Sequence, residues 1–75
     1  MTLIQAKNGQ TVRIKSFEGG LGFEHKLRQL GLFPGDNALV IRHAPLGGPI
    51  LVEVEGRSIA LGRGVASKVI VEANG

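Results

Sequence analysis

The fifteen-residue stretch Gly22-Phe23-Glu24-His25-Lys26-Leu27-Arg28-Gln29-Leu30-Gly31-Leu32-Phe33-Pro34-Gly35-Asp36 decides how this chain is organised. Phe23, Leu27 and Leu30 fall at i, i+4 and i+7, while Glu24, Lys26, Arg28 and Gln29 take the other faces, which predicts a short amphipathic helix over residues 22–30. Gly31 stands where a helix often ends in a left-handed residue. Phe33-Pro34-Gly35-Asp36 then places proline and glycine at the two central positions of a type II turn. Helix, stop and reversal follow one another without a linker.

On either side the pattern changes to a period of two. Val12 and Ile14 alternate with Arg13 and Lys15, so residues 11–17 are expected to be a strand with one buried face. After the turn, residues 38–44, 50–55 and 58–61 read as strands, the last two joined through Glu55-Gly56. Ile50, Val52 and Val54 face inward if Leu51, Glu53 and Glu55 face out, and Ile59 and Leu61 continue that face across the hairpin. Val69 and Val71 mark a closing strand, and Phe17 and Phe23 are assigned to the core. The expected fold class is mostly β: a small, partly open barrel of about five short strands with one inserted amphipathic helix.

Length and composition bound what such a barrel can do. The 75 residues make one domain, residues 1–75, with enough apolar material (43%) to fold although near the lower limit for an unaided core. With no cysteine, disulfides, thiolate zinc sites and iron–sulfur ligation are excluded, which leaves close packing or self-association as supports and fits a cytoplasmic location. The start, Met1-Thr2-Leu3-Ile4-Gln5-Ala6-Lys7, turns polar at once and is expected to belong to the mature protein, and no apolar run reaches the ~18 residues of a membrane span. Nine Lys and Arg against six Asp and Glu give a formal charge of +3, too mild to name a partner.

The search for chemistry returns little. Gly20-Leu21-Gly22-Phe23-Glu24-His25 begins like a dinucleotide fingerprint, but His25 occupies the place of the third glycine and no βαβ unit surrounds it. No window supplies the Walker pattern that cradles phosphates, and neither histidine has the serine or cysteine partner of a nucleophilic triad, so no enzymatic activity is expected. His25 and His43, with Glu24 and in reach of Glu18 or Asp36, are the weak candidates for binding Fe2+ or Zn2+; solvated surface histidines are the simpler reading. A nucleic-acid surface would need stacking aromatics, and the chain has no Trp, no Tyr and three Phe; Arg13, Lys15, Lys26, Arg28, Arg42, Arg57 and Arg63 would have to converge on phosphates. More informative is Ala44-Pro45-Leu46-Gly47-Gly48-Pro49, where two prolines stiffen a loop and Leu46 is placed at its exposed tip, a suitable protein contact. Leu32 and Phe33 are expected to extend that contact, with Lys26 and Arg28 as orienting charge.

Taken in order, the helix exit Lys26-Leu27-Arg28-Gln29-Leu30-Gly31-Leu32-Phe33-Pro34-Gly35, the loop Ala44-Pro45-Leu46-Gly47-Gly48-Pro49, Ile59-Ala60-Leu61 and Ala66-Ser67-Lys68-Val69-Ile70-Val71 resemble the ferrous iron transport protein A (FeoA) family over nearly the whole chain. The resemblance implies an SH3-like barrel in the bacterial cytoplasm that binds and modulates the FeoB-type ferrous iron permease, a membrane protein with its own GTPase domain. It therefore implies partner contacts at Leu46, Gly47, Gly48, Leu32, Phe33, Lys26 and Arg28, with no insertion of this chain into the membrane. The same fold occurs in metal-dependent repressors of the diphtheria toxin repressor type, behind a winged helix; here a free-standing protein is expected. Two departures stand out. His25 and Lys26 precede Leu27 where many relatives carry paired arginines, and Val65 replaces an acid that often precedes the alanine. The alternatives from the residues themselves are a nucleic-acid-binding barrel and a divalent-metal sensor.

Overall fold

The alternating segments fold into a single antiparallel sheet. The computed structural model describes residues 1–74, so Gly75, the last residue of the expected domain, lies outside the described residues. The strands are β1 (Thr11–Phe17), β2 (Asn37–His43), β3 (Ile50–Val54), β4 (Arg57–Leu61) and β5 (Val69–Ala73), in the spatial order β4-β3-β2-β1-β5. Helix α1 (Leu21–Gln29) is inserted between β1 and β2. The architecture is the small, mostly β, SH3-like one expected from the sequence. Two elements were not expected: a 3-10 turn over Leu3–Gln5, and a one-turn helix α2 (Arg63–Ala66) whose segment carries glycine at both Gly62 and Gly64.

One face of the coiled sheet holds the core. Val12, Ile14, Val40, Ile50, Val52, Val54, Ile59, Leu61, Val69 and Val71 are buried in a cluster that Leu3, Ala6 and Ala66 close from outside the strands. No polar side chain is buried among the described residues, so the cluster is held by apolar burial, roughly 1.5–3 kcal/mol for each large aliphatic. Strict alternation from Val12 and Ile14 would turn Phe17 outward, yet Phe17 is buried. A bulge between Ile14 and Ser16, opposite β5, accommodates Lys15 as an extra residue and returns the next odd position to the core. The N-terminus covers the free side of β5: Met1 and Val71 exchange two backbone hydrogen bonds, and Thr2 bridges to Ile70. A sheet edge is thereby protected.

Helix α1 is fastened to the barrel by few side chains. Leu27 is fully buried and Phe23 half-buried, but Leu30, expected on the inward face, is exposed. The reason lies in the helix stop. Gly31 adopts φ +96°, its N–H donates to the Arg28 carbonyl, and the Leu32 N–H donates to the Leu27 carbonyl. These two bonds form a Schellman motif, in which the residue after the left-handed glycine packs back onto the last turn. Leu32 therefore takes the core position that Leu30 vacates, with 0% of its surface exposed. Its predicted role as a partner contact is wrong: a side chain without accessible surface touches nothing outside the fold.

Candidate functional site

The β2–β3 connection is a tight hairpin. The Ala44 N–H donates to the Pro49 carbonyl and the Gly48 N–H to the Pro45 carbonyl, leaving Leu46 and Gly47 as the two central residues. Both have positive φ, 59° and 71°, as a type I′ turn requires. Such a turn suits Asn-Gly, because a Cβ in the left-handed region crowds the following carbonyl by about 1–2 kcal/mol. Leucine here has no local advantage, and with 103% relative exposure it gains no burial either. Gly48 has its own constraint: a Cβ there would meet the Ala44 side chain at 2.9 Å and the Pro45 carbonyl at 3.1 Å, so the two arms of the loop lie against each other. The tip is tightly folded, strained and apolar, a combination that fits local strain serving a contact.

The second half of the expected contact lies elsewhere. Phe33 and Asp36 close the turn ahead of β2, with the Phe33 N–H bonded to the Asp36 carboxylate at 3.0 Å and the Asp36 N–H to the Phe33 carbonyl. Gly35 has φ +95°, which completes the predicted type II turn. Phe33 is 42% exposed and has the Arg28 guanidinium over its ring at 5.7 Å from the centroid. Arg57, from the β3–β4 hairpin, lies against Gly31 and donates a long hydrogen bond of 3.4 Å to its carbonyl. This apolar and cationic patch therefore sits at the start of β2 and the far tip of β3, whereas Leu46 lies beyond the end of β2 at His43. Six residue steps of strand, roughly 20 Å, separate the two. Leu46, Gly47 and Gly48 form one surface, Phe33 and Arg28 another, and Lys26 is exposed on α1, so the residues expected to make a single contact lie on two separate surfaces.

The metal candidates are not gathered. His25 is exposed and Glu24 half-buried on α1, while half-buried His43 ends β2. His43 Nε2 lies 2.7 Å from the Ala6 carbonyl, which can only accept, so Nε2 carries the hydrogen and is not free to ligate while that bond holds. Among the described residues no three His, Asp or Glu side chains are close enough to share an ion. No helix among them is long and apolar enough to cross a membrane.

The FeoA domain model matches residues 1–73. The chain belongs to the FeoA family. A protein of Methanocaldococcus jannaschii assigned the name Fe(2+) transport protein A is 37% identical over 67 residues, covering 89% of this chain and 79% of that one. A crystal structure of an iron uptake regulatory protein, FeoA, superposes with a TM-score of 0.88 at 30% identity, covering 99% of this chain and 96% of the other. A zinc-bound structure of ScaR shares the fold alone, at 22% identity and TM-score 0.89 over 99% of this chain and 37% of that one. Of the two departures from the FeoA pattern, Val65 packs against the core from α2, and Lys26 is a solvent-exposed residue of α1. No sequence signal separated the Leu46 and Phe33 surfaces directly, but the length of β2 between them was available.

Proposed function

We propose that this FeoA-family chain is a cytoplasmic accessory protein of ferrous iron uptake that docks on a FeoB-type permease through the Leu46 hairpin tip and modulates it. The observation that carries this is Leu46 itself: a fully exposed leucine held in a left-handed conformation that its residue type disfavours. A partner that buries it would return the apolar transfer energy that the isolated fold forgoes, about 1.5–3 kcal/mol for a leucine. The family membership supports the iron-transport setting, and the absence of a phosphate loop in the sequence suits a chain whose nucleotide chemistry resides in its partner.

Co-purification with the permease from the native host tests this, using Leu46→Asp against Phe33→Asp. Both residues are exposed, so both variants keep the fold. Loss of the permease with Leu46→Asp and its retention with Phe33→Asp is expected. Full retention with Leu46→Asp sinks the proposal.

A further inference from the structure

Leu46 does not stand alone at its end of the barrel. Three segments meet there. The Lys7–Gln10 turn is joined to β2 by the His43 N–H donating to Asn8 Oδ1 at 3.0 Å. The end of β2 and start of β3 carry the loop, with Arg42 opposite Leu51. Leu61 pairs with Ile50 and leads directly into α2, whose Arg63 places its Cδ 3.9 Å from where a Gly47 Cβ would be.

All three segments are free of acid. The six acidic residues are Glu18, Glu24, Asp36, Glu53, Glu55 and Glu72, and none falls within residues 1–17, 37–52 or 56–71. The cations Lys7, Arg42 and Arg63 are unpaired, the sole ion pair among the described residues being Lys15–Glu72 between β1 and β5. Nine Lys and Arg less these three leaves six, equal in number to the six acids, so these three cations match the chain's formal excess of +3. A charge distribution of this kind is not needed by the fold, since Lys7 and Arg42 are exposed and the core contains no polar group.

We infer that the surface receiving Leu46 is an apolar socket rimmed by carboxylates on a protein partner. This rests on the docking proposed above and specifies the chemistry of the other side. Burying the tip brings Lys7, Arg42 and Arg63 to the rim, where a neutral or cationic surface would oppose approach and an acidic one steers it. A nucleic acid is the poorer match: Phe17 is buried, and Phe23 and Phe33 lie on α1 and its exit, so no ring is available to stack on bases beside the cations. An anionic lipid surface would attract the same cations but would bury only a single leucine, less apolar surface than stable interfacial anchoring uses.

The test is the Kd for the FeoB-type permease of the same host, held in zwitterionic nanodiscs, at about 50 and about 300 mM KCl, a range over which the Debye length falls well below 10 Å. Binding is expected to weaken about tenfold over that range. Arg42→Glu and Lys7→Glu, both at exposed positions, should each weaken it about three- to fivefold at low salt and less at high salt. Arg63→Glu should do the same, but the two exposed variants decide the matter because Arg63 also packs under the loop. A Kd indifferent to salt and to these reversals, with binding still abolished by Leu46→Asp, overturns the acidic rim and leaves docking standing. Binding unchanged by Leu46→Asp overturns docking itself. Equally tight, Leu46-dependent sedimentation with phosphatidylcholine vesicles carrying about one-quarter phosphatidylserine overturns the protein socket in favour of a lipid surface.

Discussion

Replacing Leu46 by asparagine should make the protein more stable and less able to dock. The residue is held at φ 59° in a type I′ turn, and its side chain is fully exposed. Asparagine tolerates the left-handed region because its short polar side chain bonds locally, so most of the roughly 1–2 kcal/mol steric penalty is relieved. No buried area is lost in return. The net gain should be about 1 kcal/mol, which for a domain of this size raises Tm by about 4–8 °C. Thermal melts followed by far-UV circular dichroism, with urea titrations at fixed temperature, read it directly. Docking should weaken in the same variant by about 30-fold, the loss expected when an interface anchor worth about 2 kcal/mol is removed. An unchanged or lower Tm would refute the strain argument, since it would mean that Leu46 is not paying a conformational penalty at the tip.

The matched control is Glu55→Asn in the β3–β4 turn, where Glu55 and Gly56 have φ 50° and 77°: a similar rise in Tm is expected, with no change in permease binding. Gly31→Ala should cost about 1 kcal/mol in urea denaturation, mainly from φ +96°, because the Arg57 guanidinium against which a Cβ would land is the mobile end of a long side chain. Removing that guanidinium with Arg57→Ala should therefore not rescue the Gly31→Ala protein. Leu32→Ala should destabilise by about 2–4 kcal/mol, as expected of a core residue, whereas Phe33→Ala should change stability by less than about 1 kcal/mol. His43→Ala removes the bond to the Ala6 carbonyl and should lower stability by about 1 kcal/mol.

Much of the fold was legible because its strands follow a period of two and its reversals use residues with few alternatives. The alternation of Val12 and Ile14, and of Ile50, Val52 and Val54, places them in the core as read, and Pro34-Gly35 makes the turn that its residue types demand. The misreadings have specific causes. Leu30 and Leu32 both lie near the helix end, and periodicity favours Leu30, but the hydrogen bonds around Gly31 rotate Leu32 inward instead. A stricter use of the glycine stop would have found this, since its usual apolar contact is made by the residue that follows. The bulge at Lys15 depends on pairing with β5, where Ile70 and Val71 lie far along the chain, and no local pattern announces it. α2 forms despite Gly64 because Ala66 and Val65 pack on the core, a tertiary effect that overrides propensity.

The proposed docking site was legible as a segment but not as a surface. Pro45 and Pro49 marked a braced loop, and Leu46 is exposed as expected. Its left-handed backbone belongs to the two-residue turn itself, whereas the placing of the Lys7, Arg42 and Arg63 segments at the same end of the barrel arises only when three distant segments meet. Joining it to Phe33 overlooked the extended strand between them, which fixes a separation that flexible chain would not.

The most direct measurement is photo-crosslinking in living cells of the native host, with a benzophenone amino acid placed in turn at positions 46, 33 and 55. Position 46 lies at the tip of the β2–β3 hairpin, and 33 and 55 lie at the other end of the barrel. A covalent adduct with the FeoB-type permease from position 46, and none from the other two, is the predicted result. Adducts from position 33 or 55 with none from 46 would contradict docking through the Leu46 hairpin.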